Sequence, residues 1–281
     1  MATTQTKSVV VIGAGSFGAS TALEYAKHNH KVTLLEQYNV LDNRISSTDF
    51  NRIIRSDYRG DKILTDLAEK ALSKWKQWGL FHQHGQLILS QNNEMKDGNY
   101  FTDQFNVLQK EDPNRVKLLS FKQIGNISPA WIDDNNYHKR WKKGFISTNS
   151  GWVYATKGLQ CIINQCQENN VDIRENVKVN DIQLIKRNGN KAIIDTNDGK
   201  IIADLVILTC GVWLPTILNK LNLPSFPYMK PTSNLCGYFK VKDDKNKWLF
   251  ESNNFPNFLA DIEETGYYGF ALNEGYVKIA Q

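Results

Sequence analysis

Val9-Val10-Val11-Ile12 runs directly into Gly13-Ala14-Gly15-Ser16-Phe17-Gly18, and the fold is read from that junction. A stretch of helical character follows, then a second apolar run, Val32-Thr33-Leu34-Leu35, which ends on Glu36. Strand, glycine turn, helix, strand and acidic end form the full context in which GxGxxG marks a dinucleotide-binding βαβ unit. Gly13 makes the tight turn, Gly15 lets backbone approach a pyrophosphate, and Gly18 lets the helix pack close to the strand. Ser16 and Phe17 open the helix, whose orphan N–H groups and positive dipole end attract phosphate. Glu36 is placed to accept hydrogen bonds from a ribose diol.

The 281 residues are enough for about two domains with real cores. A net charge of +5 without an arginine-rich stripe argues against a nucleic-acid partner. The most basic run, His138-Lys139-Arg140-Trp141-Lys142-Lys143, reads as a solvated face. Cys161, Cys166, Cys210 and Cys236 form no CxxC pair, which fits a reducing compartment better than a disulfide framework. His82 and His84 alternate across a strand-like stretch with nothing nearby to complete a metal site, so no metal is expected. The longest apolar run, Leu205 to Leu214, is about half a membrane span. With the first core strand so close to Met1 there is no room for a signal peptide, and a cytoplasmic location is expected.

Beyond the βαβ unit the pattern predicts a polar loop at 39–50 and an arginine-bearing segment at 51–58. An amphipathic helix follows over 61–79, carrying Ile63, Leu64, Leu67, Ala71, Leu72, Trp75 and Trp78, with a strand over 85–89. Residues 90–113 read as a polar loop, and 151–166 as a helix entered from a glycine turn. Three strands are expected over 172–179, 192–196 and 201–208, with Asp198-Gly199 turning between the last two. Leu205-Val206-Ile207-Leu208-Thr209 has the continuous apolar character of a buried parallel strand, and it leads into a small-residue turn at Cys210-Gly211. The fold class is therefore α/β: a Rossmann-like dinucleotide-binding domain interleaved with a mixed-sheet α+β domain. The expected division is 1–84 with 145–220 for the first and 85–144 with 221–281 for the second.

Four stretches together resemble the amine-oxidising flavoproteins of the D-amino-acid oxidase superfamily. The branch is that of monomeric sarcosine, pipecolate, saccharopine and fructosyl-amino-acid oxidases. The first stretch is the fingerprint with Glu36. The second, Ser46-Ser47-Thr48-Asp49-Phe50-Asn51-Arg52-Ile53-Ile54-Arg55, is similar to the family's flavin-contacting segment with its two arginines. The third is Val206-Ile207-Leu208-Thr209-Cys210-Gly211-Val212-Trp213, and the fourth is Tyr267-Tyr268-Gly269-Phe270 with Gly275-Tyr276-Val277-Lys278. The family's chains continue past this point, into a part that holds the cysteine linked covalently to flavin. The resemblance thus implies a C-terminally shortened chain, which is expected to dissolve poorly or to pair with a second chain that supplies the rest. A peroxisomal address is common in the family's C-terminal parts, and Lys278-Ile279-Ala280-Gln281 is not one.

What the resemblance implies is FAD as cofactor and oxidation of the C–N bond of a secondary amine, with dioxygen returning hydrogen peroxide. Arg55 would take the substrate carboxylate, which guanidinium grips bidentately, and Arg52 would stabilise negative charge on the reduced ring. Lys278 would assist oxygen reduction and Tyr268 would line the substrate pocket. Val179 would contact the adenine through its backbone, while Ser47, Thr48 and Gly211 would lie along the cofactor. From the residues alone the arginine pair reads equally as a surface loop, Lys278 as a strand lysine and Tyr268 as core. Two other functions remain open on the sequence: an inactive remnant that binds FAD weakly or not at all, and a nicotinamide-dependent dehydrogenase. The dehydrogenase leaves Arg52, Arg55 and the 268–278 run unexplained.

Overall fold

The computed structural model describes residues 5–55, 58, 60–92, 94–131, 141–185, 191–224, 229–260, 264 and 266–281. In chain order the strands are β1 Ser8–Ile12, β2 Lys31–Leu35, β3 Arg52–Ile54, β4 Phe81–His82, β5 Gln86–Ser90, β6 Val116–Ser120, β7 Lys143–Ser147 and β8 Gly151–Val153. They continue as β9 Asp172–Arg174, β10 Val179–Ile185, β11 Lys191–Thr196, β12 Gly199–Ala203, β13 Leu205–Leu208, β14 Cys236–Lys240, β15 Asn257–Ala260, β16 Tyr267–Asn273 and β17 Tyr276–Ala280. The helices are α1 Ser16–Lys27, α2 Lys62–Gln77, α3 Tyr100–Glu111, α4 Phe121–Ile127, α5 Ala155–Glu168 and α6 Leu214–Lys220. Two discontinuous units result, 1–50 with 154–232 and 51–153 with 233–281. Residues 51–84 belong to the second because β3 and β4 both pair with β8. The first division therefore falls at 50/51 rather than 84/85.

The first unit is built on the parallel sheet β13-β1-β2-β9. Val9, Val11 and Leu34 are almost fully buried, as continuous apolar strands covered on both faces must be. Helices α1 and α5 pack against each other, and the Cys166 thiol donates to the Ala19 carbonyl at 3.3 Å. The antiparallel meander β10-β11-β12 is joined to the sheet through a shared core of Val10, Ile12, Leu35, Ile182 and Ile194.

Two expected strands prove to be pairs. The 172–179 stretch splits into β9 and β10 at a turn in which Asn176 has φ +58°. The 201–208 stretch splits at Asp204, because β12 pairs antiparallel with β11 and β13 pairs parallel with β1. Asp204 fixes the change of partner: its carboxylate accepts from the Ser8 N–H at 2.8 Å and the Ser8 hydroxyl at 2.7 Å. All four residues of β13 are half-buried rather than buried.

The second unit carries the mixed sheet β14-β17-β16-β15-β5-β7-β6. One face presents Leu87, Leu89, Phe258, Ala260 and Val277 to a core with Leu119 and Ile124. The other presents Ile88, Phe145 and Leu259 to Phe101 and Leu108 of α3. Residues 90–113, expected as loop, contain α3 because Asn99 caps it, accepting from the N–H groups of Phe101 and Thr102. Residues 151–166, expected as one helix, open with β8, since Gly151 to Val153 pair with β3 before α5 starts. Within the basic run, 138–140 lie outside the described residues, and Trp141 is core.

Candidate functional site

In the first unit, the three fingerprint glycines meet different surroundings. Gly13 sits at φ +105°, and a Cβ there would stand 2.6 Å from the Thr209 carbonyl oxygen. A Cβ on Gly18 would stand 1.8 Å from the carbonyl oxygen of Gly13, so α1 can approach β1 only with glycine here. Gly15 is different: its Cβ would meet only the Ser47 hydroxyl at 3.2 Å and Ile45 at 3.7 Å. Gly15 is the N-cap of α1 and offers it no side-chain cap. The Ser16 N–H donates to the Ser47 hydroxyl at 2.9 Å, which brings the 39–50 loop against the helix start. Phe17 points its ring outward, 82% exposed.

Glu36 is buried, yet its carboxylate holds the loop together. Oε2 accepts from the Ala14 N–H at 2.9 Å and Oε1 from the Tyr38 N–H at 3.2 Å. A carboxylate has about four acceptor positions, so these two bonds leave capacity for a diol. The end of β13 closes the other side. Thr209 donates through its N–H to the Ile12 carbonyl and through its hydroxyl to the Gly13 carbonyl at 3.0 Å. Gly211 follows at φ +52°. Burial pushes the neighbouring Cys210 thiol up to about 12, so it stays a neutral wall. Thr48 is turned inward, its hydroxyl shared between the Asp42 and Ile45 carbonyls at 2.8 and 2.7 Å. Val179, half-buried at the start of β10, pairs with Thr196.

Sequence reasoning did not single out Tyr38, whose N–H donates to Glu36, or Arg44. Arg44 lies over the Tyr38 ring at 3.6 Å, and Tyr38 meets Trp213 edge-on at 6.0 Å. Two 2.8 Å bonds fix the Arg44 guanidinium on Asp42, and they hold that carboxyl down to about 2. An arginine two residues after an aspartate was the only signal available.

In the second unit, β3 carries the arginine pair. Arg52 is exposed, whereas Arg55 is half-buried, donating to the Tyr100 hydroxyl and lying over the Tyr58 ring at 5.1 Å. Tyr268 stands on β16, half-buried, edge-on to Phe270 at 6.2 Å. Lys278 on β17 is 1% exposed, unlike an ordinary strand lysine. Its ammonium donates to the Asn51 carbonyl at 3.1 Å and lies over the Phe270 ring at 4.9 Å and the Tyr238 ring at 5.8 Å. Antiparallel pairing of β16 with β17 sets Phe270 beside Lys278. His82 stacks on Trp152 at 4.2 Å, with His84 stacked beyond it at 6.4 Å. Among the described residues no cluster of three metal-ligating side chains occurs, and no helix is long and apolar enough to cross a membrane.

A glycine-rich turn, a buried acid at the end of the second strand and a parallel sheet define a dinucleotide-binding flavoprotein-like fold. The chain belongs to the FAD dependent oxidoreductase family, whose model matches residues 8–280. It is 24% identical over 268 residues to monomeric sarcosine oxidase of a Bacillus species, covering 93% of this chain and 64% of that protein. L-saccharopine oxidase of Schizosaccharomyces pombe is also 24% identical, over 230 residues that cover 76% of this chain and 52% of that one. Among solved structures, fructosamine oxidase of Aspergillus fumigatus superposes with a TM-score of 0.76 at 23% identity, over 99% of this chain and 63% of its own. The chain thus spans just under two thirds of the length of the first of these relatives.

Proposed function

We propose that the protein oxidises the C–N bond of a secondary amine or N-substituted amino acid, with FAD as cofactor and dioxygen as final acceptor. When bound, FAD supplies the hydride-accepting ring, and oxygen reduction then yields hydrogen peroxide. The carrying observation is the family match over 8–280 together with a glycine fingerprint at the α1 start, where the Ser16 N–H and the Ser47 hydroxyl meet beside Gly15.

Each residue has a physical task on this reading. The α1 start, with Gly13, Gly15, Ser16, Phe17 and Gly18, holds a pyrophosphate by backbone N–H groups and dipole. Glu36 accepts from the ribose hydroxyls, while Ser47, Thr48 and Gly211 shape the surrounding loops. Val179 supports the adenine by backbone contact. In the second unit, Tyr100 and Tyr58 fix the Arg55 guanidinium, which takes a substrate carboxylate through its fork. Tyr268 bounds the substrate. Arg52 and Lys278 bring positive charge to the redox step. Lys278 does so from a nearly dry position, where it stabilises negative charge on dioxygen more strongly than in water. Sarcosine, saccharopine and fructosyl compounds name the relatives' substrates and are the first candidates here.

A visible spectrum tests the reading. The chain, prepared with excess FAD and desalted, is expected to keep a flavin band that bleaches anaerobically with one of these amines and returns on admission of air. A retained band that none of the amines bleaches would rule out this substrate class.

A further inference from the structure

Among the described residues of the second unit, the buried side-chain atoms without a hydrogen-bond partner include Oδ1 of Asn51, Oε1 of Gln86, and both Oδ1 and Nδ2 of Asn257. All three residues are at most 2% exposed. Their placement is not scattered. Asn257 on β15 and Gln86 on β5 are partners in parallel register, so their side chains stand side by side on one face. Gln86 also faces Ser147 of β7, whose hydroxyl is hydrogen-bonded to that of Ser150 at 3.1 Å. On the other flank, Phe258 pairs with Gly269, which sets Phe270 beside Asn257, and Phe270 pairs with Lys278. One row, Lys278–Phe270–Asn257–Gln86–Ser147, therefore crosses five strands.

Strand β3 follows the same route. Asn51, just before it, receives the Lys278 ammonium, and Ile54 at its far end pairs with Gly151, the neighbour of Ser150. The Asn51 backbone thus meets the row at its Lys278 end, and its own Oδ1 is buried as well. Left dry, each orphaned amide atom would lower the folding equilibrium by roughly tenfold. Interiors resolve such orphans with enclosed water, which typically makes about three hydrogen bonds. Three of the four atoms here are acceptors, and water donates twice while accepting from the one donor, Nδ2 of Asn257.

We propose that Gln86 and Asn257, together with Asn51, enclose an ordered-water site on the sheet face that carries Lys278. The water completes the polar layer between the Lys278 ammonium and the Ser147–Ser150 hydroxyl pair. The site stands on this geometry alone, whichever amine the protein oxidises.

Shape-matched apolar variants of the full chain separate a wet site from a dry one. Removing a dry, orphaned amide relieves a penalty and stabilises, whereas removing a water ligand breaks a bonded network. Gln86→Met and Asn257→Leu are each expected to lower the folding equilibrium constant by roughly tenfold in denaturant titration. The double variant should lose less than the product of the two, because both act on one site. Asn257→Ser, which keeps a donor and an acceptor, should recover part of the loss. A single variant as stable as the parent chain, or more so, overturns the site. Should the variants fail to fold, a high-resolution crystal structure of the unaltered chain decides. Density for water within hydrogen-bond distance of Gln86 Oε1 and the Asn257 amide supports it, and a void or a direct Gln86–Asn257 bond overturns it.

Discussion

The three fingerprint glycines answer to different constraints, and substitution should separate them. Gly18→Ala forces a Cβ to within 1.8 Å of a backbone oxygen that cannot swing away. It is expected to cost about 3 kcal/mol, the upper end for overpacking, as a fall in denaturation midpoint with or without cofactor. Gly15→Ala meets only a serine hydroxyl and a methyl group. It should leave the midpoint within about 0.5 kcal/mol of the parent while weakening FAD binding at least tenfold by titration. The thiols give a second residue-scale expectation. Burial raises Cys210 to about 12 and Cys166 to about 11. At neutral pH only Cys161 and exposed Cys236 should react quickly with a thiol reagent. Because both folded values lie above the ordinary thiol value of 9.0, the unfolded chain ionises first. Their contribution to stability is complete below pH 9, falls as pH rises, and is lost through 11 to 12. A denaturation midpoint that held constant from pH 8 to 10.5 would contradict this.

At the scale of elements, α2 shows how far periodicity carries. Its apolar spacing correctly marks a helix, capped by Asp61 accepting from the Leu64 N–H at 3.0 Å. The spacing does not tell which face is covered. Ile63, Leu64 and Leu67 are exposed, and Leu72 is the residue that turns inward. Leu67→Gln should therefore change stability by less than about 0.5 kcal/mol, whereas Leu72→Ala should cost about 2 kcal/mol, both read from unfolding curves. Helix α3 was illegible for the opposite reason. Tyr100, Phe101, Phe105 and Leu108 have helical spacing, but the polar residues around them hide it until Phe145 and Val116 supply an apolar surface. Strands β12 and β13 look like one apolar run because sequence carries no mark of a change in pairing partner. The Asp204 contact to Ser8, 196 positions away, makes the break.

The molecule consists of two units that each own a core, and such chains need not unfold in one step. ADP carries the pyrophosphate, ribose and adenine but no reactive ring, so on the proposed reading it engages the first unit alone. Calorimetry should resolve two transitions, with ADP at a hundredfold excess over its dissociation constant stabilising only one, by about 2.7 kcal/mol. An equal upward shift of both, or of neither, would break the assignment of cofactor binding to the first unit.

The sequence by itself determined the βαβ unit, its glycines and Glu36, because a tight turn against a closely packed helix admits so few residues that the pattern survives without its surroundings. It also carried the family, since Arg52, Arg55, Tyr268 and Lys278 fall in segments with recognisable neighbours. Tertiary structure decided what those residues touch. Lys278 is buried because β16 lays Phe270 beside it and the backbone before β3 offers a carbonyl, and Arg55 is held by Tyr100, 45 positions away. Such contacts join residues far apart in the chain, and only the pairing of distant strands brings them within bonding range.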